Sequence, residues 1–306
     1  MSRDAGGAWG AVYPNGAPTG ASGGWPDQVA RYYDRNTRRF LMVGRGRGAH
    51  SIHRELWGPG VESAEAAVDH INGVVAGEVR GVVAGSAPTV LDFGCGVGGT
   101  LFHLARRFPQ ARLAGITVSS RQVEIAERLA EELGVADRCS FSRGDFQATD
   151  LGVRADAVVA VESFVHSDRP DAFLQNATRH LRPGGCLVLA DDFLAAEADA
   201  LDARRRLLVE QFRAGWRVPS VCSADRLVDV ATEHGLEPVK VVDLTPLTRP
   251  GSRKRDRLIA MLSPMFARLG LGRIPFYGNM IGGNALQIGL REGFLRYQLL
   301  VLRRVA

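Results

Sequence analysis

The sequence predicts an α/β fold, a doubly wound seven-stranded mixed sheet with helices on both faces, and three observations lead there. Beyond Pro88, short apolar runs alternate with helical patterns, the signature of parallel strands covered on both sides. Between the first run, Thr89–Phe93, and the first helical pattern after it lies only a glycine-rich turn, Gly94-Cys95-Gly96-Val97-Gly98-Gly99. Finally, Leu236–Leu244 and Phe294–Arg304 read as two closing strands, the second as an antiparallel edge strand.

Taken in order, residues 1–25 are rich in Gly, Ala, Ser and Pro and read as a tail without the apolar core of a signal peptide. Asp27–Leu41 follows as a helix that Asp27 can cap, with Val29, Tyr32, Tyr33 and Phe40 forming its apolar stripe. Gly44-Arg45-Gly46-Arg47-Gly48 breaks the pattern, and Glu62–Val83 is helical again. Residues 26–84 are thus expected to form a helical lid, and 85–306 the sheet domain. The strands are Thr89–Phe93, Arg112–Val118, Cys139–Asp145, Ala155–Val161 and Cys186–Asp191, the last fed by the turn Pro183-Gly184-Gly185. The helices between and after them are Thr100–Arg107, Ser120–Leu133, Arg169–His180 and Ala224–His234. Segments 194–219 and 252–293 interrupt the alternation as insertions. The second is rich in Met, Phe and Leu, and the two would either roof an apolar pocket, with Trp216 of the first and Phe276 and Tyr277 of the second against the substrate, or pack as ordinary core.

Composition bounds the function. The chain of 306 residues is 45% hydrophobic and 23% charged, enough for a full core. Its 38 Lys and Arg against 33 Asp and Glu give a net charge of +5, too mild to indicate a nucleic-acid partner. Most of the basic residues are arginine, a bias that GC-rich coding also produces. Cys95, Cys139, Cys186 and Cys222 are too scattered for a zinc site or a disulfide framework and read as buried thiols. No metal site is expected. With no uninterrupted apolar run of membrane-spanning length, the expectation is a cytoplasmic protein without stable membrane insertion, and a homo-oligomer remains open.

The glycine turn carries the chemistry. Gly94, Gly96 and Gly98 let the backbone pass close to a ligand just ahead of a helix N-terminus. The same turn fits a dinucleotide fingerprint through Gly94, Gly96 and Gly99. Asp92, two residues before the first glycine, would repel a pyrophosphate and suits the ammonium of an amino-acid moiety. The next strand ends in Gly115-Ile116-Thr117-Val118-Ser119-Ser120-Arg121-Gln122, without the acidic residue a dinucleotide enzyme places there for ribose.

In these residues the sequence resembles class I S-adenosylmethionine-dependent methyltransferases. It is most similar to their sterol, tocopherol, cyclopropane-fatty-acid and prenyl C-methyltransferase branch. That branch carries Gly-x-Thr-x-Ser-x-x-Gln, matched by Gly115, Thr117, Ser119 and Gln122. The resemblance extends through Gly144-Asp145-Phe146, Glu162-Ser163-x-x-His166 and Leu181-Arg182-Pro183-Gly184-Gly185, spanning about residues 85–195. It implies a Rossmann-like methyltransferase fold and S-adenosyl-L-methionine as cofactor. Asp92 with the backbone of Gly94, Gly96 and Gly98 would hold the methionine end. Thr117 and Gln122 would reach the ribose, and Asp145 with Phe146 the adenine; Asp145 is alternatively a turn residue.

Glu162 and His166 follow the fourth strand, whose carboxyl end borders the ligand crevice of a doubly wound sheet. Methylation of an alkene carbon leaves a carbocation that must lose a proton, and Glu162 is the candidate base. His166 would serve instead for a hydroxyl or amine. Either residue also has a bland reading, Glu162 as a cap for the next helix and His166 as a satisfied wall residue. Tyr32 and Tyr33 would fold over the cofactor on the lid helix. Arg45 and Arg47, with His50, His53 and Arg54 behind them, would form an anion-binding nest, and Arg253, Lys254, Arg255 and Arg257 a second basic run, unless both are simply solvated. The expected acceptor is therefore a small lipophilic isoprenoid, as prenyl diphosphate or prenylated metabolite, methylated at carbon. The alternatives are O- or N-methylation of an aromatic or polyketide-like metabolite and, in a different class, a nicotinamide-dependent oxidoreductase.

Overall fold

The computed structural model describes residues 24–43, 50–83, 87–254 and 275–305, together with 256, 258, 259 and 261; the side chains of 38–43 and 275–276 are not described. Seven strands form one sheet in the order β3-β2-β1-β4-β5-β7-β6. Strands β1 (Thr89–Phe93), β2 (Arg112–Thr117), β3 (Cys139–Arg143), β4 (Ala155–Val161) and β5 (Leu181–Leu194) run parallel, while β7 (Leu295–Arg304) runs antiparallel to both β5 and β6 (Leu236–Asp243).

This corrects the sequence expectation for the last strand: β7 is antiparallel but internal, and β6 is the edge. Burial accounts for it. Leu299, Leu300, Val301 and Leu302 are continuously apolar and essentially inaccessible, so both faces of β7 are covered. In β6, Val239 and Val241 are exposed, and Lys240 reaches Glu78, the polar edge that discourages further pairing.

Two apolar layers sandwich the sheet with the period of two that strands impose. Val159, Val161, Val188, Ala190, Leu299 and Val301 point to one side, and Val158, Ala160, Leu187, Leu189, Leu300 and Leu302 to the other. The first layer is closed by α2 (Ala64–Val82), α3 (Gly99–Arg107) and α4 (Ser120–Glu132) through Ile71, Val75, Leu101, Leu104 and Ala126. The second is closed by α5 (Pro170–His180) and α7 (Ala224–Glu233) through Phe173, Leu174, Leu227 and Val230. Each such buried side chain contributes about 1.5–3 kcal/mol, so the sheet is a rigid platform for what sits at its carboxyl edge. All four cysteines are buried and unpaired by disulfides.

The N-terminal helix α1 spans Trp25–Val43, so Asp27 lies in its first turn instead of capping it. Trp25, Val29, Ala30 and Tyr32 are buried along it, and Asp34 accepts a bond from the Ser119 hydroxyl at the start of α4. The segment after β5 forms α6 (Ala203–Trp216), which packs against α8 (Pro275–Glu292). The Gly residues 1–23 region and the Gly-Arg loop at 44–49, with Arg45 and Arg47, lie outside the described residues, as do Arg255 and Arg257. No helix among the described residues is long and apolar enough to cross a membrane.

The α6–α8 crossing is glycine-limited. A Cβ on Gly215 would meet the carbonyl oxygen of Gly278 and stand 2.7 Å from the Gly282 Cα, whereas one on Gly283 would meet nothing closer than 3.6 Å. Gly215→Ala should therefore cost about 1–3 kcal/mol by overpacking. Gly283→Ala, in the same contact layer, should instead gain up to about 1 kcal/mol of helix propensity. Urea denaturation of the pair checks this, and equal effects would refute a backbone-limited crossing.

Candidate active site

The carboxyl ends of β1, β2, β4 and β5 meet α1, α6 and α8 around a cavity of about 360 Å³. Gly94 and Gly96, on the turn after β1, form part of its wall with φ of 93° and 55°, a region glycine enters without strain. Gly94 is also held there by space, since any Cβ would collide with Ser163, whose hydroxyl donates to the Phe93 carbonyl at 2.6 Å. Gly98 caps α3 behind the wall, packed on Phe102.

Of the other residues expected at the cofactor, Thr117, Gln122, Asp145 and Phe146 line the cavity. Thr117 donates to the Gln122 side-chain oxygen at 2.6 Å, pairing the two ends of the β2–α4 turn. Asp145 accepts the Gln147 backbone N–H at 2.9 Å and a bond from Arg169 at 3.3 Å, so it also serves as a turn residue. Asp92 sits at the penultimate position of β1, 2% exposed and behind the glycine turn. Burial alone pushes its carboxyl up to about 7, because no cation among the described residues compensates it. An amine arriving above the turn would supply that missing charge.

On the opposite wall are Glu162, Asp191, Asp192, His53 and Arg54. Glu162 adopts the left-handed region (φ 51°), a strained choice for a residue with a side chain, pinned by its N–H bond to the Ala190 carbonyl at 2.8 Å. The kink aims the carboxylate into the cavity, where Oε1 accepts the Arg54 backbone N–H at 2.8 Å and the Tyr297 hydroxyl at 3.0 Å. Both bonds fall on one oxygen and leave Oε2 to the cavity. The Arg54 guanidinium lies 4.7 Å from the Tyr297 ring centre and donates to Asp192 at 2.6 Å. Burial pushes Asp192 up to about 6, against the pull of Arg54. Asp191 is driven well above the usual carboxylate range by burial and by Asp192 beside it, while accepting the Val165 N–H at 3.0 Å.

His166 lies in the same wall with both ring nitrogens engaged. The Arg217 carbonyl, 2.9 Å from Nδ1, can only accept, so Nδ1 carries the proton and Nε2 accepts from the Tyr33 hydroxyl at 2.9 Å. Burial lowers its pKa, which keeps it neutral. Trp25 adds a bond to the His166 carbonyl at 3.1 Å, so this residue fastens α1 over the cavity. Tyr33 and Trp216 line the cavity; Tyr32 is turned to Asn279 on α8 at 3.0 Å, and Tyr277 is half-buried outside the cavity wall. The Phe276 side chain lies outside the described residues.

Comparison with known proteins agrees with this geometry. Residues 90–185 match the family described as a methyltransferase domain. The 27-O-demethylrifamycin SV methyltransferase of Amycolatopsis mediterranei (strain S699) is 31% identical over 230 residues, covering 75% of this chain and 80% of its own. The chain belongs to the S-adenosylmethionine-dependent methyltransferases. Cycloartenol-C-24-methyltransferase 1 of Oryza sativa subsp. japonica is 26% identical over 76% of this methyltransferase and 65% of its own length. Several curated relatives match over only 56–65% of their length. Among solved structures, geranyl diphosphate C-methyltransferase from Streptomyces coelicolor A3(2) shares the fold, with a TM-score of 0.66 at 19% identity over 94% of this chain and all of the other. The nicotinamide-dependent alternative is thereby set aside.

Sequence reasoning missed Asp191, Asp192 and Tyr297. Two adjacent carboxylates closing the apolar run of β5 were a visible signal; the arrival of Tyr297 from β7 had none.

Tyr33→Phe removes the hydroxyl that satisfies His166 Nε2. It should loosen α1 by about 1 kcal/mol, or roughly fivefold faster amide exchange over residues 25–37. Unchanged exchange would mean that the helix is held by its apolar face alone.

Proposed function

We propose that this methyltransferase acts at an alkene carbon of a neutral, apolar isoprenoid-type acceptor, with Glu162 as the base. One observation supports this above the others: a carboxylate fixed through one oxygen, with the other free, faces a mainly apolar cavity whose walls include Val161, Val165, Phe212, Val218 and Leu286.

When bound, S-adenosyl-L-methionine supplies an electrophilic methyl group on a sulfonium. We assign Asp92 to the cofactor's ammonium, the Gly94 and Gly96 backbone to its carboxylate end, Thr117 and Gln122 to the ribose, and Asp145 and Phe146 to the adenine. Tyr33, His166 and α1 would exclude water from the reacting face. A new C–CH3 bond at the alkene leaves a cation on the neighbouring carbon. Glu162 Oε2 would stabilise that cation and take the adjacent proton, restoring the double bond. Arg54 and Tyr297 hold Oε1 and so keep the carboxylate aimed. Because His166 Nε2 already accepts from Tyr33, Glu162 is the better proton acceptor of the two residues expected to act.

The diphosphate form of the acceptor fits less well. Glu162, Asp191 and Asp192 face the described acceptor side, and the one guanidinium there, Arg54, is bound to Asp192. A second reading, methyl transfer to oxygen, is favoured by the rifamycin-modifying relative and is separated by identifying the methylated atom in the product.

Glu162→Gln should retain cofactor affinity within about twofold while kcat falls about 10²–10⁴-fold, the range of general-base catalysis. A near-native kcat would remove Glu162 from the reaction. The position of Asp92 predicts a pH dependence. The free protein holds a proton on this carboxyl below about 7, whereas an ammonium needs the carboxylate. Affinity for S-adenosylhomocysteine should therefore weaken about tenfold per pH unit below 7, and calorimetry should register proton release on binding at pH 6. Asp92→Asn should bind weakly with a flat profile; a flat profile in the unmodified protein would dismiss the assignment.

A further inference from the structure

Three buried polar atoms in the described structure's acceptor wall have no partner: His53 Nδ1, Arg54 NH1 and Asp192 Oδ1. Two of them are the unused halves of one ion pair. Arginine and carboxylates commonly pair through two parallel bonds, but here only NH2 and Oδ2 meet, at 2.6 Å, leaving one buried donor and one buried acceptor of the same pair without partners. Asp192 is 6% exposed, and both residues line the cavity. Leaving such atoms unpaired costs more than an ordinary hydrogen bond returns, so the pair calls for a group that both donates and accepts.

We infer that the Arg54–Asp192 pair is a recognition site for a hydroxyl group on the acceptor, which donates to Asp192 Oδ1 and accepts from Arg54 NH1. Other functional groups fit less well. A carboxylate or phosphate meets Asp192 and Glu162 as like charges, and an ammonium has nothing for Arg54 to donate to. An ether satisfies only the arginine, and a hydrocarbon satisfies neither. The site also fixes orientation. Asp192 pairs with Tyr297 across β5 and β7, and Tyr297 donates to Glu162. Arg54 gives its backbone N–H to Glu162 and its guanidinium to Asp192. The hydroxyl end of the acceptor therefore lies at the Glu162 end of the cavity. This rests on the proposed reading of the cavity as the acceptor site, but not on which atom is methylated.

The test measures binding to the full chain saturated with S-adenosylhomocysteine, by calorimetry, using prenol, geraniol and farnesol, each beside its hydrocarbon, methyl ether and diphosphate. At least one alcohol should bind roughly 10- to 100-fold tighter than its hydrocarbon and ether, the range for bonds to charged partners. In Asp192→Leu, and in the double variant Arg54→Met/Asp192→Leu that leaves no unpaired charge should the single variant misfold, the preference should fall to threefold or less. Equal binding of alcohol and hydrocarbon, no alcohol binding, preference for the diphosphate, or a preference that survives in the double variant would each overturn the hydroxyl site; in the first case a trapped water satisfies the pair. An alcohol that binds with the expected preference yet is not methylated at carbon would leave this site standing and refute the proposed reaction.

Discussion

The site depends on holding carboxyl groups away from water without a matching number of cations among the described residues. Asp92, Glu162, Asp191 and Asp192 all sit at or just beyond the carboxyl ends of β1, β4 and β5. Burial alone pushes the Asp92 carboxyl up to about 7, equivalent to about 4 kcal/mol between its protonated and ionised forms. The sign is that of a raised acid. The folded chain retains the proton that the unfolded chain has lost, so this contribution to stability is full below an unfolded value near 4 and is lost as pH rises through 7. At neutral pH the folded protein thus carries an uncompensated cost at the position where a cationic ligand group would relieve it.

The sheet can bear that cost because its interior is so uniformly apolar. Between the buried Val, Leu and Ala of β4 and β5 there is no freedom to shift the strand ends, so the backbone absorbs the demand locally. Glu162 takes a left-handed conformation, and Arg217, whose carbonyl accepts the hydrogen bond from His166 Nδ1, takes another at the end of α6. The internal placement of β7 has the same effect. Its register with β5 puts Tyr297 opposite Asp192, so the strand that closes the sheet also delivers the hydroxyl that steadies Glu162. An edge position for β7 would have left that phenol beside solvent.

The parallel half of the fold was legible in the sequence because its signals are local: the short apolar runs, the helical patterns between them and the glycines of the first turn. Strand order beyond β5 was not, since nothing in Leu236–Asp243 or Leu295–Arg304 says which lies inside except how completely apolar each is, and that reading was available. Of the residues expected at the cofactor, Gly94, Gly96, Thr117, Gln122, Asp145 and Phe146 fall within motifs of a few residues and meet at one cavity, while Asp92 and Gly98 lie behind its wall. On the other side the sequence singled out Glu162, His166, Tyr33 and Trp216, with His53 and Arg54 in a different role, but not how they come together. Apart from Glu162, His166 and Trp216, that side draws on four separate places: His53 and Arg54 before α2, the Asp191–Asp192 pair on β5, Tyr297 on β7 and Tyr33 on α1. Contacts across 108 to 138 residues, such as Arg54 to Glu162 and to Asp192, leave no local pattern.

Charge also orders the two halves of the cavity. On the proposed cofactor side the wall is backbone, amide and hydroxyl with Asp145 at its margin; on the other side, among the described residues, Glu162 and Asp192 share the guanidinium of Arg54. With Asp191 pushed toward its neutral form, the described charged residues of the proposed acceptor side, Glu162, Asp192 and Arg54, carry a formal net negative charge in an apolar setting, where the interaction of charges is several times stronger than in water. In the proposed reaction, a carbocation forming there would gain from the field at the moment it appears and at no earlier stage, so the field would favour the transition state over the bound neutral acceptor. A diphosphate would feel the same field as repulsion from the outset. In the proposed reaction, the arrangement that would make Glu162 effective as a base toward an alkene would therefore also select for an acceptor whose polar end is uncharged.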